Sequence, residues 1–361
     1  MSLAQKLSKR ILKDGPLSLD EFMGAALGDR EFGYYMTRDP FGARGDFITA
    51  PEISQVFGEL IGLWCAAFWL QIESPATVHL VELGPGRGTL MKDALRAIKS
   101  VPEFAKSLEV HLVEMSPVLQ KIQSETLEEC GYDIHWHTHI EDLPEGVTIT
   151  LANEFFDALP IRQFIRAQAG WCERLVALNS KDQFEFSTSP EAMPPEQVGI
   201  NPELVNSPID SIVETCQPAQ TIIKALSRRL QAYGGAALII DYGYLKSEVG
   251  ETLQAVSDHR FADILQNPGE QDLTAHVDFS ALAQSAQGEG AKSYGPIQQG
   301  QFLQALGLDI RIAKLTNATT PAQTYDIKTA ARRLTAEDQM GTLFKVMAIT
   351  AQTSEAPLPF I

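Results

Sequence analysis

The sequence predicts an α/β protein of Rossmann-like type, with a helical N-terminal region in front and two insertions within. Three observations carry this. From about residue 77, short apolar runs alternate with segments of helical spacing, the rhythm of a parallel sheet covered by helices on both faces. The first such run enters a glycine turn, Glu82-Leu83-Gly84-Pro85-Gly86-Arg87-Gly88, which opens into a helix. Residues 1–75 instead carry apolar residues at helical spacing.

The elements follow in order. Leu3, Leu7, Ile11 and Leu12 recur on one helical face, and Gly15-Pro16 ends that helix. Ser18-Leu19-Asp20-Glu21 reads as a capping box before a second helix. Gly42 to Glu52 is a loop punctuated by Gly and Pro. Ile53 to Leu70 is a buried helix with Phe57, Leu60, Ile61 and Trp64 facing inward. Strands are expected at Val78–Val81, Val110–Val113, Ile134–His139, Val147–Leu151 and Ala236–Ile240. Helices are expected at Leu90–Ile98, from Pro117 to about Glu128 behind an Ser116 cap, and at Ala219–Tyr233. A late strand, Gly341–Ile349, is expected at the far side of the sheet. The rhythm breaks twice. Residues 161–215 hold hairpin strands (Phe164–Ala167, Cys172–Leu178) and a Pro-rich stretch, and residues 245–275 read as polar and irregular. The division is therefore 1–75, helical, and 76–361, the α/β domain with insertions at about 161–215 and 245–275.

The chain has 361 residues, 44% hydrophobic and 21% charged, and a net charge of −17. An acidic surface repels phosphate backbones, which argues against general nucleic-acid binding and suits a basic partner. The cysteines, Cys65, Cys130, Cys172 and Cys216, form no CxxC pair, so a disulfide framework or zinc knuckle is not expected and a reducing compartment is. No apolar run reaches the length of a membrane span. Met1 to Lys13 carries four basic residues and lacks the apolar core of a signal peptide. It reads as a bacterial cytoplasmic start, or as a mature chain of the mitochondrial matrix if eukaryotic.

The glycine turn discriminates among cofactors. Gly84 permits the sharp turn, and Gly86 and Gly88 remove side chains where a ligand and the next helix approach the backbone. The spacing is GxGxG behind an acid, where a nicotinamide fingerprint is GxGxxG. Arg87-Gly88-Thr89 replaces the GK[ST] of a phosphate loop. A carboxylate beneath the turn suits a cationic ligand, and S-adenosyl-L-methionine carries an ammonium and a sulfonium. Glu82 is expected at its amino-acid end. Glu114, ending the second strand, is expected to accept from the ribose hydroxyls. Asp142, with Glu141 as competitor, is the candidate for the adenine amino group.

The fourth strand runs into Asn153-Glu154-Phe155-Phe156-Asp157-Ala158-Leu159-Pro160. The amide of Asn153 and a following aromatic ring fit a loop that orients a target nitrogen. A guanidinium is protonated at working pH, so it needs acids that orient it and draw off its proton. Glu154 and Asp157 suit that task; their other use is capping a helix that starts near Phe155. His276 and Asp278, beside Asp241 and Tyr242, form a second polar wall in which His276 is either a proton acceptor or structural. His135, His137 and His139 alternate along one strand, but no Cys or acid at ligand spacing completes a site, so no metal is expected.

Several motifs occur in a specific order: Gly33-Tyr34-Tyr35, Gly45-Asp46-Phe47-Ile48-Thr49-Ala50-Pro51-Glu52, the glycine turn, Asn153 to Pro160, Asp241-Tyr242-Gly243-Tyr244, and Thr274-Ala275-His276-Val277-Asp278-Phe279. In these the chain resembles the MidA-like family of S-adenosylmethionine-dependent methyltransferases, which includes the mitochondrial complex I assembly arginine methyltransferase and bacterial relatives. The resemblance spans about residues 15 to 350. It implies a class I methyltransferase fold and symmetric arginine dimethylation of a subunit of NADH:quinone oxidoreductase during assembly. It also implies that Glu82, Gly84, Gly86 and Glu114 bind cofactor, that Thr49, Pro51 and Glu52 lie on a loop closing over it, and that Asn153, Glu154 and Asp157 face the substrate. Two other functions compete: a cofactor-binding assembly chaperone without essential catalysis, and a small-molecule methyltransferase.

Overall fold

The computed structural model describes residues 1–40, 49–257, 260–317 and 319–360. Its centre is an eight-stranded sheet built on β1 (Val78–Leu83), β2 (Leu108–Val113), β3 (Ile134–His137), β4 (Thr148–Asn153), β5 (Gly235–Tyr244), β6 (Lys292–Gln298) and β7 (Phe344–Thr350), with the two-residue strand Val277–Asp278 pairing parallel to the end of β5. In space they run β6-β7-β5-β4-β1-β2-β3. The first five are mutually parallel, and β7 is antiparallel to both β5 and β6. All six residues of β1 are buried, as expected of a central strand covered on both faces. The chain leaves β1 for β2 and β3 on one side, then returns to place β4 on the other. The order therefore reverses between β1 and β4, and their carboxyl ends form the crevice where open α/β sheets take ligands.

One face of the sheet packs against the helices Gln55–Gln71 and Thr89–Ile98. Phe57, Leu60 and Ile61 are buried as expected, each contributing about 1.5–3 kcal/mol by leaving water. The two helices cross closely because Gly62 lacks a side chain: a Cβ there would lie 2.5 Å from the Ala94 carbonyl oxygen. Glu59, also buried, receives Arg96 at 3.1 Å and Arg311 at 2.7 Å, tying three helices together. The other face packs against the helices Gln217–Tyr233 and Phe279–Gly288.

The N-terminal segment departs from a free-standing helical unit. Leu17 pairs with Val176, which adds a two-residue strand to the sheet made by residues 162–167, 170–178, 184–193 and 212–215. Leu3, Leu7, Ile11 and Phe22 share a core with Val176, Leu253 and Leu273 from both insertions. Leu12 is exposed, on the opposite side of its helix from these.

Four expectations need correction. The helix expected from Ile53 starts at Gln55, because Ser54 is extended and its hydroxyl caps Val56 N. The third strand stops at His137, since His139 opens a short turn at Ile140–Asp142. The late strand is not at the edge: β7 lies between β5 and β6, and β6 is the edge. Residues 245–275 are not wholly irregular but contain a three-stranded antiparallel sheet, Gln254–Ser257, Arg260–Ala262 and Asp272–Thr274.

Candidate active site

The glycine turn leaves β1 at its carboxyl end. Gly84, Gly86 and Gly88 all have positive φ, at 58°, 53° and 80°. At Gly84 a side chain is excluded twice, by the left-handed backbone and by Phe155, whose ring carbon Cδ2 lies 2.7 Å from where a Cβ would stand. Beneath the turn Glu82 is 3% exposed, and its Oε2 has no hydrogen-bond partner among the described residues. Burial pushes its carboxyl up to about 8.

Across the crevice, β4 ends at Asn153. Glu154 follows with φ 50°, unusual for a residue other than glycine. Residues 155–160 form a turn, so the expected alternative of a helix capped by Glu154 and Asp157 is not what the chain adopts. The turn is held from β5, where the buried Asp241 carboxylate accepts the amides of Phe156 at 3.0 Å and Asp157 at 3.2 Å. Glu154 Oε1 accepts the amide of Ala50 at 2.9 Å and the Asn153 side-chain amide at 3.1 Å. The Tyr242 hydroxyl hydrogen-bonds Asp157. Asn153 Oδ1 and Asp157 Oδ1 are buried with no partner among the described residues. Burial, reinforced by the Asp157 charge, raises Glu154 to about 7, and burial raises Asp157 to about 6. Asp241 is held well above the usual carboxylate range by burial and by its two acidic neighbours.

The segment after Thr49 bridges the two halves. Its turn, Ala50–Ile53, docks on Glu154 through the Ala50 amide, and Glu52 accepts the hydroxyl of Thr89 at the start of the turn's helix. Arg87 lies 3.6 Å from Glu52 and 3.3 Å from Asp39. One small space of about 40 Å³ is thus lined by Thr49, Pro51, Glu52, Glu82, Gly84, Gly86, Asn153 and Glu154, eight of the residues expected at the site.

Residues 60–297 match a family profile described as "Putative S-adenosyl-L-methionine-dependent methyltransferase". The protein arginine methyltransferase NDUFAF7, mitochondrial, of Homo sapiens is 39% identical over 337 residues, covering 87% of this chain and 75% of that one. The chain belongs to this methyltransferase family. The protein of the same name in Xenopus tropicalis is 36% identical over 377 residues, covering 98% of this chain and 86% of its own. A crystal structure of a superfamily member from Burkholderia thailandensis, bound to S-adenosyl-homocysteine, superimposes with a TM-score of 0.84 at 28% identity, covering 98% and 93% of the two chains. The fold is the class I methyltransferase fold, and the cofactor is S-adenosyl-L-methionine.

In this methyltransferase the remaining expected residues lie apart from the small space. Gly88 starts the helix Thr89–Ile98 and faces Gln123 and Leu127. Glu114 is buried at the end of β2, where it accepts the Ser116 amide at 2.8 Å and Gln123 Nε2 at 3.0 Å. Burial raises its carboxyl above the usual range, and these donors partly offset that. Asp142 is exposed and accepts the His139 amide at 3.0 Å. His276 lines a second cavity of about 400 Å³, on the far side of the turn that follows β4, together with Phe156, Glu214 and Tyr244. Its ring stands edge-on to Tyr242, centroids 5.4 Å apart, and burial lowers its pKa. Asp278 caps the helix Phe279–Gly288 by accepting the Ala281 amide at 2.9 Å.

Sequence reasoning named Asp241 and Tyr35 only within motifs or a polar wall and gave neither its structural role. Asp241 positions the turn after β4, a role invisible from its strand-end location alone. Tyr35 donates to Asp272 at 2.9 Å across 237 positions of sequence, and only the Gly33-Tyr34-Tyr35 motif pointed there. Residues 41–48, which hold Gly45 to Ile48 of the second motif, lie outside the described residues.

Proposed function

We propose that this methyltransferase transfers a methyl group from S-adenosyl-L-methionine to the guanidinium of an arginine in a protein. The observation that carries the reading is a set of three buried oxygens at the switch point with no hydrogen-bond partner among the described residues: Glu82 Oε2, Asn153 Oδ1 and Asp157 Oδ1. Such groups are costly unless a donor-rich ligand completes them. Glu82 fits the cationic cofactor, and Asn153, Glu154 and Asp157 fit a guanidinium. The cofactor supplies an electrophilic methyl carbon on a sulfonium.

In this reading Glu82 holds the amino-acid end of the cofactor, with Gly84 and Gly86 permitting its close approach and Gly88 seating the helix behind. Glu114 and Asp142 would hold the cofactor's nucleoside. Thr49, Pro51 and Glu52 cover it. Asn153 and Glu154 meet the acceptor nitrogen. Glu154 and Asp157 orient the guanidinium and take its proton as the nitrogen forms its new bond. Asp241 fixes the turn that carries both acids, and His276 steadies Tyr242, which bonds Asp157. Residues 76–361 form the catalytic domain; of the preceding region, Leu3 to Leu27 packs against its insertions and Gln55–Gln71 against the central sheet.

Support for arginine comes from the names of the relatives and from the net charge of −17, which favours a basic acceptor. A subunit of NADH:quinone oxidoreductase is the first acceptor to test, with symmetric dimethylarginine as product. The corresponding compartment is the bacterial cytoplasm, or the mitochondrial matrix if eukaryotic. Purified protein, tritiated donor and lysate from a deletion strain test the reading. A labelled basic protein yielding dimethylarginine on hydrolysis is expected. Absence of any labelled protein while S-adenosylhomocysteine still binds would reject it.

Two pH effects follow. Without ligand, Glu82 holds its proton up to about pH 8. A cation beside it lowers that value, so cofactor binding at pH 7 is expected to release close to one proton. Affinity should rise with pH below 8, at most about tenfold per unit. The sign for stability is opposite: a raised carboxyl contributes stability below its unfolded value of 4.5, which is lost as pH rises through about 8. Calorimetry in buffers of different ionisation heat reads the proton count, and zero exchange would remove Glu82 from contact. Methyl transfer needs Glu154 and Asp157 charged. Its single-turnover rate should climb through about pH 6 to 7 and then level, set by carboxyls at about 6 and about 7. A rate falling over that range would contradict their role as proton acceptors.

A further inference from the structure

Three strands bring histidines together in a run that crosses the sheet diagonally, from the amino end of β1 to the carboxyl end of β3. His79 on β1, His111 on β2 and His137 on β3 form a continuous run. His79 Nδ1 lies 3.1 Å from His111 Nε2, and His111 Nδ1 lies 2.9 Å from His137 Nε2. At one end His79 Nε2 is 3.0 Å from the carbonyl of Glu145. At the other, the backbone of Asp142 hydrogen-bonds the His137 ring in the sense that favours its protonated form. His79 and His111 are 5% and 3% exposed.

The partners assign the protons. A carbonyl only accepts, so His79 donates from Nε2 and carries a bare lone pair on Nδ1. Asp142 draws the His137 proton to its side, so His137 Nε2 accepts from His111 Nδ1. That leaves His111 Nε2 bare as well. Two lone pairs then face each other across 3.1 Å, and three neutral rings are one cation short of satisfying four contacts. Glu109 brings a carboxylate to the same point, its Oε2 3.3 Å from His79 Nδ1 and 4.0 Å from His111 Nε2.

We infer that His79 Nδ1, His111 Nε2 and Glu109 Oε2 form a binding site for a divalent transition-metal ion of the zinc class. Zinc ligands stand about 2.0–2.2 Å from the ion, so tetrahedral neighbours lie about 3.3–3.6 Å apart. The three separations bracket that value. Each imidazole donates its other nitrogen to an acceptor, Glu145 O or His137 Nε2, which is how metal-bound histidines are oriented. Glu109 is half exposed, so ion and water reach the remaining position from solvent. Arg229, bonded to Thr148 and the Leu143 carbonyl, brings positive charge near the run. Glu109 therefore supplies the counter-charge. The bound ion clamps β1 to β2 away from the acid cluster. Alternation of His135, His137 and His139 along β3 concealed this site, because the ligands come from the two neighbouring strands and His139 lies beyond the strand.

The test uses the full chain without a histidine tag, stripped with chelator and then titrated with zinc against a chromophoric competitor. One equivalent per chain is expected, with a tetrahedral absorption signature when cobalt replaces zinc. Glu109→Gln, at a half-exposed strand position, should melt like the parent protein in chelator yet bind zinc about tenfold or more weakly. His111→Ala should abolish the cobalt signature. Failure of the parent chain to take up either ion, or unchanged affinity in Glu109→Gln, would overturn the inference and leave the histidines as a hydrogen-bonded run only.

Discussion

Replacing Glu154 with Gln and Asp157 with Asn together is expected to slow methyl transfer by about 10²–10⁴-fold, the usual range for positioned proton acceptors. The two amides match the acids in size and keep an acceptor oxygen each. Glu154→Gln can still receive the Ala50 amide, and Asp157→Asn can still bond Tyr242. What disappears is the capacity to carry negative charge beside a guanidinium and to take its proton. The substitution also removes two carboxyls that burial holds at about 7 and about 6, so the free protein should not lose stability at neutral pH. S-adenosylhomocysteine should bind within about threefold of the parent affinity, a difference well under 1.4 kcal/mol. A radiometric transfer assay beside calorimetry separates the outcomes. Undiminished transfer in the double variant would move the chemistry away from these acids.

Gly84→Val is expected to weaken cofactor binding by about thirtyfold or more. Leaving glycine at φ 58° costs about 1–2 kcal/mol of backbone strain. The new Cβ would sit 2.7 Å from the Phe155 ring, and relieving such a clash typically costs about 1–3 kcal/mol. Part of that cost lowers the melting temperature. The rest tilts Phe155 into the crevice or opens the turn, and either change disturbs the ligand. Gly131→Val is the control: its φ is 81°, but nothing lies within 4 Å of its added Cβ. It should show the strain without the loss of affinity. Equal binding by Gly84→Val and the parent would mean the cofactor does not lie along this turn.

Much of the catalytic half was legible because buried parallel strands leave unbroken apolar runs. Val78–Leu83 is buried on both faces, and the glycines after it can serve few other purposes. β6 escaped notice because Gly295-Pro296 interrupts its pattern, and without β6 the place of β7 within the sheet could not be seen. The pairing of Leu17 with Val176 joins segments far apart in sequence, so residues 1–75 read as helical with no strand. At the site, Glu82, Gly84, Gly86, Asn153 and Glu154 were legible from strand ends alone. The roles of Asp241, Tyr35 and Asp272 were not, because each acts through a contact between distant elements. Asp142 and His276 do not line the small space between β1 and β4, which a place near a strand end does not reveal in sequence.

The amide of Ala50 does two jobs at once. It anchors a surface turn and eases the proton from the acid it touches, whose left-handed backbone is itself a sprung conformation. A polypeptide that displaced this turn on entering would meet a carboxyl clinging harder to its hydrogen; once the turn reseated, the acid would let go. The seating of this turn and the acidity of Glu154 are thus linked.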